Sequence, residues 1–225
     1  MSVNGKPGRP KIVIIGCGGH GRVVGDALLA GIEANQTKAD LAGWIDGKFA
    51  RNVEILGRPV LGGDDAAATL AKSGAVDAFV IGVGSLKGGA TTRQKIAANY
   101  AAIGLPSIAI VHPGAVIARD VTIGEGTVVM AGAVINVGCN IGRHVILNTR
   151  CAIDHDARIA DFVHIAPGVT LSGDVQIAEA PHIGTGAVIM QGIKIGAGAM
   201  VAAGSVVVAD VPDGQVVMGV PARPA

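Results

Sequence analysis

Aromatic side chains are almost missing from this chain: three Phe, one Tyr and one Trp make up 2% of 225 residues. So sparse a set leaves little for stacking on bases. A net charge of +1 gives no electrostatic argument for nucleic acid or an anionic membrane surface. Cysteine is scarce too: Cys17, Cys139 and Cys151 form an odd set without C-x-x-C spacing, which argues for unpaired core thiols and against a disulfide framework. Half the residues are apolar, yet glycine and charged residues interrupt every apolar run well short of the ~18 that would cross a bilayer, so no membrane span is read. Residues 1–10 (MSVNGKPGRP) are polar and read as a flexible leader, not a secretion signal, so a cytoplasmic protein is expected.

What the chain does have is a period of six. Ile117, Ile123, Val129, Ile135, Ile141, Leu147, Ile153, Ile159, Ile165, Leu171, Ile177, Ile183, Ile189, Ile195 and Val201 each stand six residues after the last, and the phase runs from Val111 to Val207. The residue four further on is mostly small or short, as at Ala133, Cys139, Cys151, Ala157, Ala187 and Ala199. Neither a helix at 3.6 nor a strand at 2 gives that spacing; three short strands per coil do. The expected fold is an all-β left-handed parallel β-helix over residues 108–225, with residues i and i+18 stacked ~4.8 Å apart.

Residues 11–107 follow a different grammar. A buried strand at Lys11–Ile15 leads through GCGGHG into an apolar-periodic helix (Val23, Val24, Ala27, Leu28). Further strands are expected to end at Asp46, over 78–83 and over 107–111, with helices near 65–72 and 91–103. This predicts a small Rossmann-like parallel α/β domain. GCGGHG matches G-x-G-x-x-G, where glycines let a backbone approach phosphate at a helix N-terminus. Only one βαβ half fits, which points to a single nucleotide half-site with Asp46 near base or ribose. His20 either faces a diphosphate or caps the helix.

Inside the coil, Asn148, Asp154, His155 and Asp156 fall in adjacent hexads, and Gly173 lies eighteen residues after His155. An imidazole beside an unobstructed backbone N–H supplies what acyl transfer needs: a base for the nucleophile and a donor for the oxyanion. Asp156 or Asp154 would fix the tautomer of His155. His164 and His182, also eighteen apart, share a column. A catalytic zinc wants three convergent ligands, and the spacing of two histidines five apart that a β-helical zinc hydrolyase would use is missing, so no metal is expected. His112 and His144 are expected on the outer surface.

The Gly-Gly-His-Gly loop, the N-T…D-H-D run in a hexapeptide coil and the closing Gly219-Val220-Pro221-Ala222-Arg223 together resemble the bacterial sugar acyltransferases. The resemblance is nearest to N-acetyltransferases of nucleotide-linked 4-amino-4,6-dideoxy sugars. It implies acetyl-CoA as co-substrate and a homotrimer with CoA between neighbouring coils. His155 would be the base, Asp156 the acid that raises its basicity, and Gly173 N–H the partner of the thioester carbonyl. It further places His164 at the acetyl group and Thr185 and Ala203 along the pantetheine, and assigns Gly18, Gly19, His20, Asp46 and Gly84 to the nucleotide sugar. Two features depart from the family pattern: Gly47 stands where some relatives have a second acid, and the loop 84–89 is longer than a Gly-Asp-Asn turn. An O-acetyltransferase of a sialic-acid-like sugar and a non-catalytic nucleotide-sugar sensor are the competing expectations.

Overall fold

In β1 (Lys11–Ile15) four consecutive apolar residues, Ile12 to Ile15, are buried, as a parallel strand covered on both faces requires. The computed structural model describes residues 8–84 and 89–225. In it β1 pairs in parallel with β2 (Asp40–Ile45) and β5 (Ala78–Ile81), and β4 (Arg58–Gly62) extends the sheet beyond β2. A short β3 (Glu54–Ile55) runs antiparallel to β4, giving the order β3-β4-β2-β1-β5. Helices α1 (Gly19–Glu33), α2 (Asp64–Lys72) and α3 (Gly89–Ala102) complete the unit. Trp44 is fully buried under α1, where a side chain on Gly25 would collide with its indole ring.

Three expectations for this unit need correction. The β3–β4 hairpin is absent from the sequence reading, because its two-residue turn is Leu56-Gly57, with φ of 50° and 66°. Such a turn favours Asn-Gly, and Leu in a left-handed conformation gives no such signal. The strand expected over 107–111 is divided: Ser107 bridges to Phe79, whereas Ile110–Val111 already belongs to the coil. Val23, read as part of the apolar stripe of α1, is 45% exposed.

From Ile110 the chain winds as a left-handed parallel β-helix of two-residue strands on three faces. Face one carries Ile146–Leu147, His164–Ile165 and His182–Ile183 in successive coils; face two carries Val134–Ile135, Ala152–Ile153 and Thr170–Leu171; face three carries Asn140–Ile141, Arg158–Ile159 and Gln176–Ile177. Up to Val207 the strands pair with residues eighteen further on, as in Leu147↔Ile165↔Ile183↔Val201, and the last coil shortens the step to sixteen, as in Val201↔Val217. The aliphatic ladder forms one continuous core from Val129 to Val217, in which Cys139 and Cys151 are free, buried thiols. Every sixth residue from Gly126 to Gly204 has a positive φ, which turns each corner. Glycine holds most of these positions; His144, Arg150, Asp156, Phe162, Asp174 and Ala180 hold the others in the left-handed region.

The α/β unit lies against face one. Ile110, Val128, Met130 and Ile146 point outward from the coil and share a core with Ile12, Val24, Leu28 and Trp44. Phe162, at the corner between faces three and one, packs with Val13, Phe79 and Tyr100. Each such aliphatic or aromatic side chain contributes about 1.5–3 kcal/mol on burial, enough to hold the two units together. This docking overturns the surface placement of His144. Its ring stacks on Phe162 with centroids 5.0 Å apart, and burial with the charges of Arg93 and Arg143 presses its pKa down to about 4. His112 is half-buried, and its Nδ1 accepts the backbone N–H of Gly114.

Candidate active site

The sequence-derived residues fall in two places. The first is a cleft of about 570 Å³ between the α/β unit and face one, lined by Gly18, Gly19, His20, Asp46 and Gly84 with Thr92, Asn148 and His164. The strand–loop–helix geometry forms it: Gly18 is the extended N-cap of α1, and a Cβ on Gly18 or Gly19 would meet nothing within 4 Å. Those two glycines therefore leave space and N–H groups at a helix N-terminus open to a ligand. Gly21 and Gly82, by contrast, are demanded by packing, since a side chain on either would strike the Gly16 carbonyl.

Asp46 sits just beyond β2 and shapes the loop. Its Oδ2 accepts the Cys17 N–H at 2.9 Å and its Oδ1 accepts the Lys48 N–H at 2.9 Å. His20 makes no cap hydrogen bond; its ring turns toward His164, with centroids 6.5 Å apart. Burial, then the Arg93 charge, lowers its pKa to about 4, so it is neutral at pH 7. His164 is 8% exposed, and its Nε2 lies 3.3 Å from Asn148 Nδ2. With the amide as donor, that contact assigns the His164 proton to Nδ1. Thr92, at the start of α3, was not anticipated; a threonine in the run Ala90-Thr91-Thr92-Arg93 carries no signal of its own.

The second place is the corner between faces two and three. His155 Nδ1 lies 2.8 Å from Asp156 Oδ2, which leaves Nε2 as the free base. Asp154 is otherwise engaged: its Oδ1 accepts the His155 backbone N–H and the Asn136 amide. Of the two carboxylates considered, Asp156 is therefore the one on the ring. Its hydrogen bond raises the His155 pKa above the ordinary value, with smaller contributions of the same sign from Asp154 and Asp174. The imidazole lies directly over Gly173, where an added Cβ would stand 2.6 Å from Nε2. Only glycine admits the ring at that approach. The Gly173 N–H donates to no protein group among the described residues.

Asn148 does not join His155. It stands at the corner between faces one and two, as do Thr185 and Ala203, both exposed and eighteen residues apart. Adjacency in hexads had grouped Asn148 with His155, but successive hexads occupy successive faces. A larger groove of about 880 Å³ runs along face three past Arg158 and Lys194 and contains none of these residues. Among the described residues no group of three or more His, Cys, Asp or Glu is placed to hold a metal ion, and no helix is long and apolar enough to cross a membrane.

Residues 11–100 match the model of the PglD N-terminal domain family. A comparison with curated protein sequences gives no match. Among solved structures, perosamine N-acetyltransferase from Caulobacter crescentus, a histidine-to-asparagine mutant in complex with CoA and GDP-perosamine, is 36% identical. The match covers 96% of each chain with a TM-score of 0.86. The acetyltransferase domain of PglB from Neisseria gonorrhoeae, in complex with acetyl coenzyme A, is 35% identical over 97% of this chain and 100% of that one, with a TM-score of 0.85. WeeI from Acinetobacter baumannii is 29% identical over 95% and 99%, with a TM-score of 0.80. With that identity over nearly its whole length, and with the coil, the Gly-rich cleft and the histidine over glycine in place, the chain belongs to the family of acetyl-CoA-dependent N-acetyltransferases of nucleotide-linked amino sugars.

Proposed function

We propose that this protein transfers the acetyl group of acetyl-CoA to the C4 amine of a nucleotide-linked 4-amino-4,6-dideoxy sugar. The observation that carries the mechanism is His155: Nδ1 tied to Asp156, Nε2 free and lying over the Gly173 backbone. Nε2 accepts a proton from the amine as its nitrogen attacks the thioester carbon. The Gly173 N–H donates to the resulting oxyanion. Collapse of the tetrahedral intermediate breaks the C–S bond, and the His155 imidazolium returns the proton to the leaving thiolate. The substrate class rests on the relative bound to GDP-perosamine. The nucleotide sugar takes the cleft of Gly18, Gly19, His20, Asp46 and Gly84; His164 meets the acetyl end, and Thr185 and Ala203 flank the pantetheine.

The two corners that share this work stand apart in one chain and flank face two. That face turns Val116, Val134 and Val188 outward at 64%, 37% and 37% exposure. Three copies with face two toward a common axis bring the His155 corner of one against the Asn148 corner of the next. A homotrimer with its sites between subunits, working in the cytoplasm, is part of this reading. The test is acetyl transfer with a panel of UDP-, GDP- and dTDP-linked 4-amino sugars beside their 4-hydroxy counterparts and free sialic acid. Transfer confined to an amine on a nucleotide sugar is the expected result; transfer only to hydroxyls or free sugars contradicts it.

A further inference from the structure

Arg93 is only 1% exposed, an unusual position for a cation that forms no ion pair with a carboxylate among the described residues. It lies on α3, and its Nη2 donates to the carbonyl of Phe162 on the coil. The next residue, Gln94, donates through Nε2 to Glu179 Oε1, one coil further along the same corner, at 2.9 Å. The preceding residue, Thr92, lines the cleft. Three consecutive residues of α3 thus reach the cleft, the seam and the coil.

Phe162 is held from all sides. Its φ is 59°, a left-handed conformation that a bulky residue keeps only where its surroundings enforce it. Its N–H donates to the Arg143 carbonyl, its carbonyl accepts from Arg93, and its ring stacks on His144. Two residues later comes His164. All five buried polar side-chain atoms without a protein partner among the described residues belong to Arg93, His20, His144 and His182. Such atoms are rare in folded proteins and mark a place where packing has been subordinated to something else.

We propose that Arg93 is a positioning residue for acetyl transfer: clamped to the Phe162 carbonyl, it holds α3 on the coil corner and fixes the width of the cleft between the Gly-rich loop and the Asn148–His164 pair. The inference rests on the substrate reading above. The groups that face the cation are His20 from α1 and His144 and His182 from the coil; Arg143 and Asp161 also act on His144, with opposite signs. Burial first, then the Arg93 charge, lowers the pKa of all three histidines, so each keeps an uncharged ring at pH 7. Arg93 itself, lowered by burial to about 10, remains charged there.

Arg93→Met and Arg93→Lys, in the full chain, separate positioning from mere support. Steady-state kinetics with acetyl-CoA and the amino sugar and NMR titration of the imidazoles are the two readouts. Loss of the Nη2–carbonyl bond in Arg93→Met raises the KM for the amino sugar about tenfold and lowers kcat by up to about 100-fold, the penalty for a misplaced substrate. His20 and His182 then titrate at a higher pH than in the wild type. Arg93→Lys keeps the charge without the planar fork, so the histidine titrations stay near wild type while KM stays raised. Wild-type KM in both variants, or unmoved histidines in Arg93→Met, overturns the inference. If Arg93→Met does not fold, the KM of Arg93→Lys decides alone. If the wild type acetylates no amino sugar, the substrate reading falls, and the titrations still decide whether Arg93 governs the seam.

Discussion

The corner between faces two and three and the seam under the α/β unit place the same side chain in opposite states. At the corner the His155 ring is 46% exposed, and its bond to Asp156 raises its proton affinity. At the seam burial and Arg93 depress His20 and His144 to about 4 and lower His182 in the same direction. A general base works best when its pKa lies near the operating pH. The seam histidines are weakened as bases, whereas His155 is strengthened, in the sense that its proposed role requires. His144, His182 and His155 all belong to the coil; what separates the first two from the third is which side of it the α/β unit covers.

The sharpest way to break this contrast is His155→Asn. It is expected to lower kcat by about 10²–10⁴-fold while leaving the KM for acetyl-CoA and the thermal midpoint close to wild type, because the ring is exposed. Wild-type turnover would remove His155 from the chemistry. Next is Gly173→Ala, whose Cβ has no room beneath the imidazole. A kcat loss of about 10²–10³-fold, the usual cost of a disturbed oxyanion donor, is expected in steady-state assays, and an unchanged kcat would contradict the stacking.

Asp156→Asn sharpens the comparison through pH. Because Asp156 raises the His155 pKa, kcat/KM of the wild type should climb with pH through a midpoint above the ordinary 6.5 of histidine. The variant's midpoint should move down toward 6.5, with a smaller fall in rate; a midpoint that stays put excludes Asp156 as the partner. The smallest effect concerns stability. The unfolded chain takes up protons on His20 and His144 near pH 6.5, and the folded chain does so only near 4. Stability from these groups is therefore complete above 6.5 and is lost as pH falls through that window. Urea midpoints at pH 7 and 5 should differ in that sense, and His144→Phe should reduce the difference.

The coil was legible because each inward position must be a branched aliphatic and each corner repeats after six, so stacking by eighteen follows from numbering alone. That rule placed Gly173 against His155 and His164 against His182 correctly. It was silent on what covers the outside of the coil. The hexad position of His144 is an outer corner and so predicts solvent, but the docked α/β unit covers it, with the Phe79 ring 6.3 Å away and Arg93 close enough to lower its pKa. Arg93 gives no signal for the same reason, since an arginine in Thr92-Arg93-Gln94-Lys95 reads as a solvated helix face. The Leu56-Gly57 turn hid the hairpin because its first residue lacks the usual left-handed preference. Asn148 was grouped with His155 by nearness in sequence, although in a three-faced coil neighbouring hexads look in different directions.

That separation makes the central claim testable, because on the proposed reading a working site joins the His155 corner of one copy to the Asn148–His164 corner of another. His155→Ala and His164→Ala, each expected to be nearly inactive alone, should be unfolded, mixed in equal amounts and refolded together. The account predicts recovery of about one quarter of wild-type activity, the fraction of junctions with both corners intact under random assembly. A mixture no more active than its two parents would show that both histidines serve from one chain, or that the corners never meet.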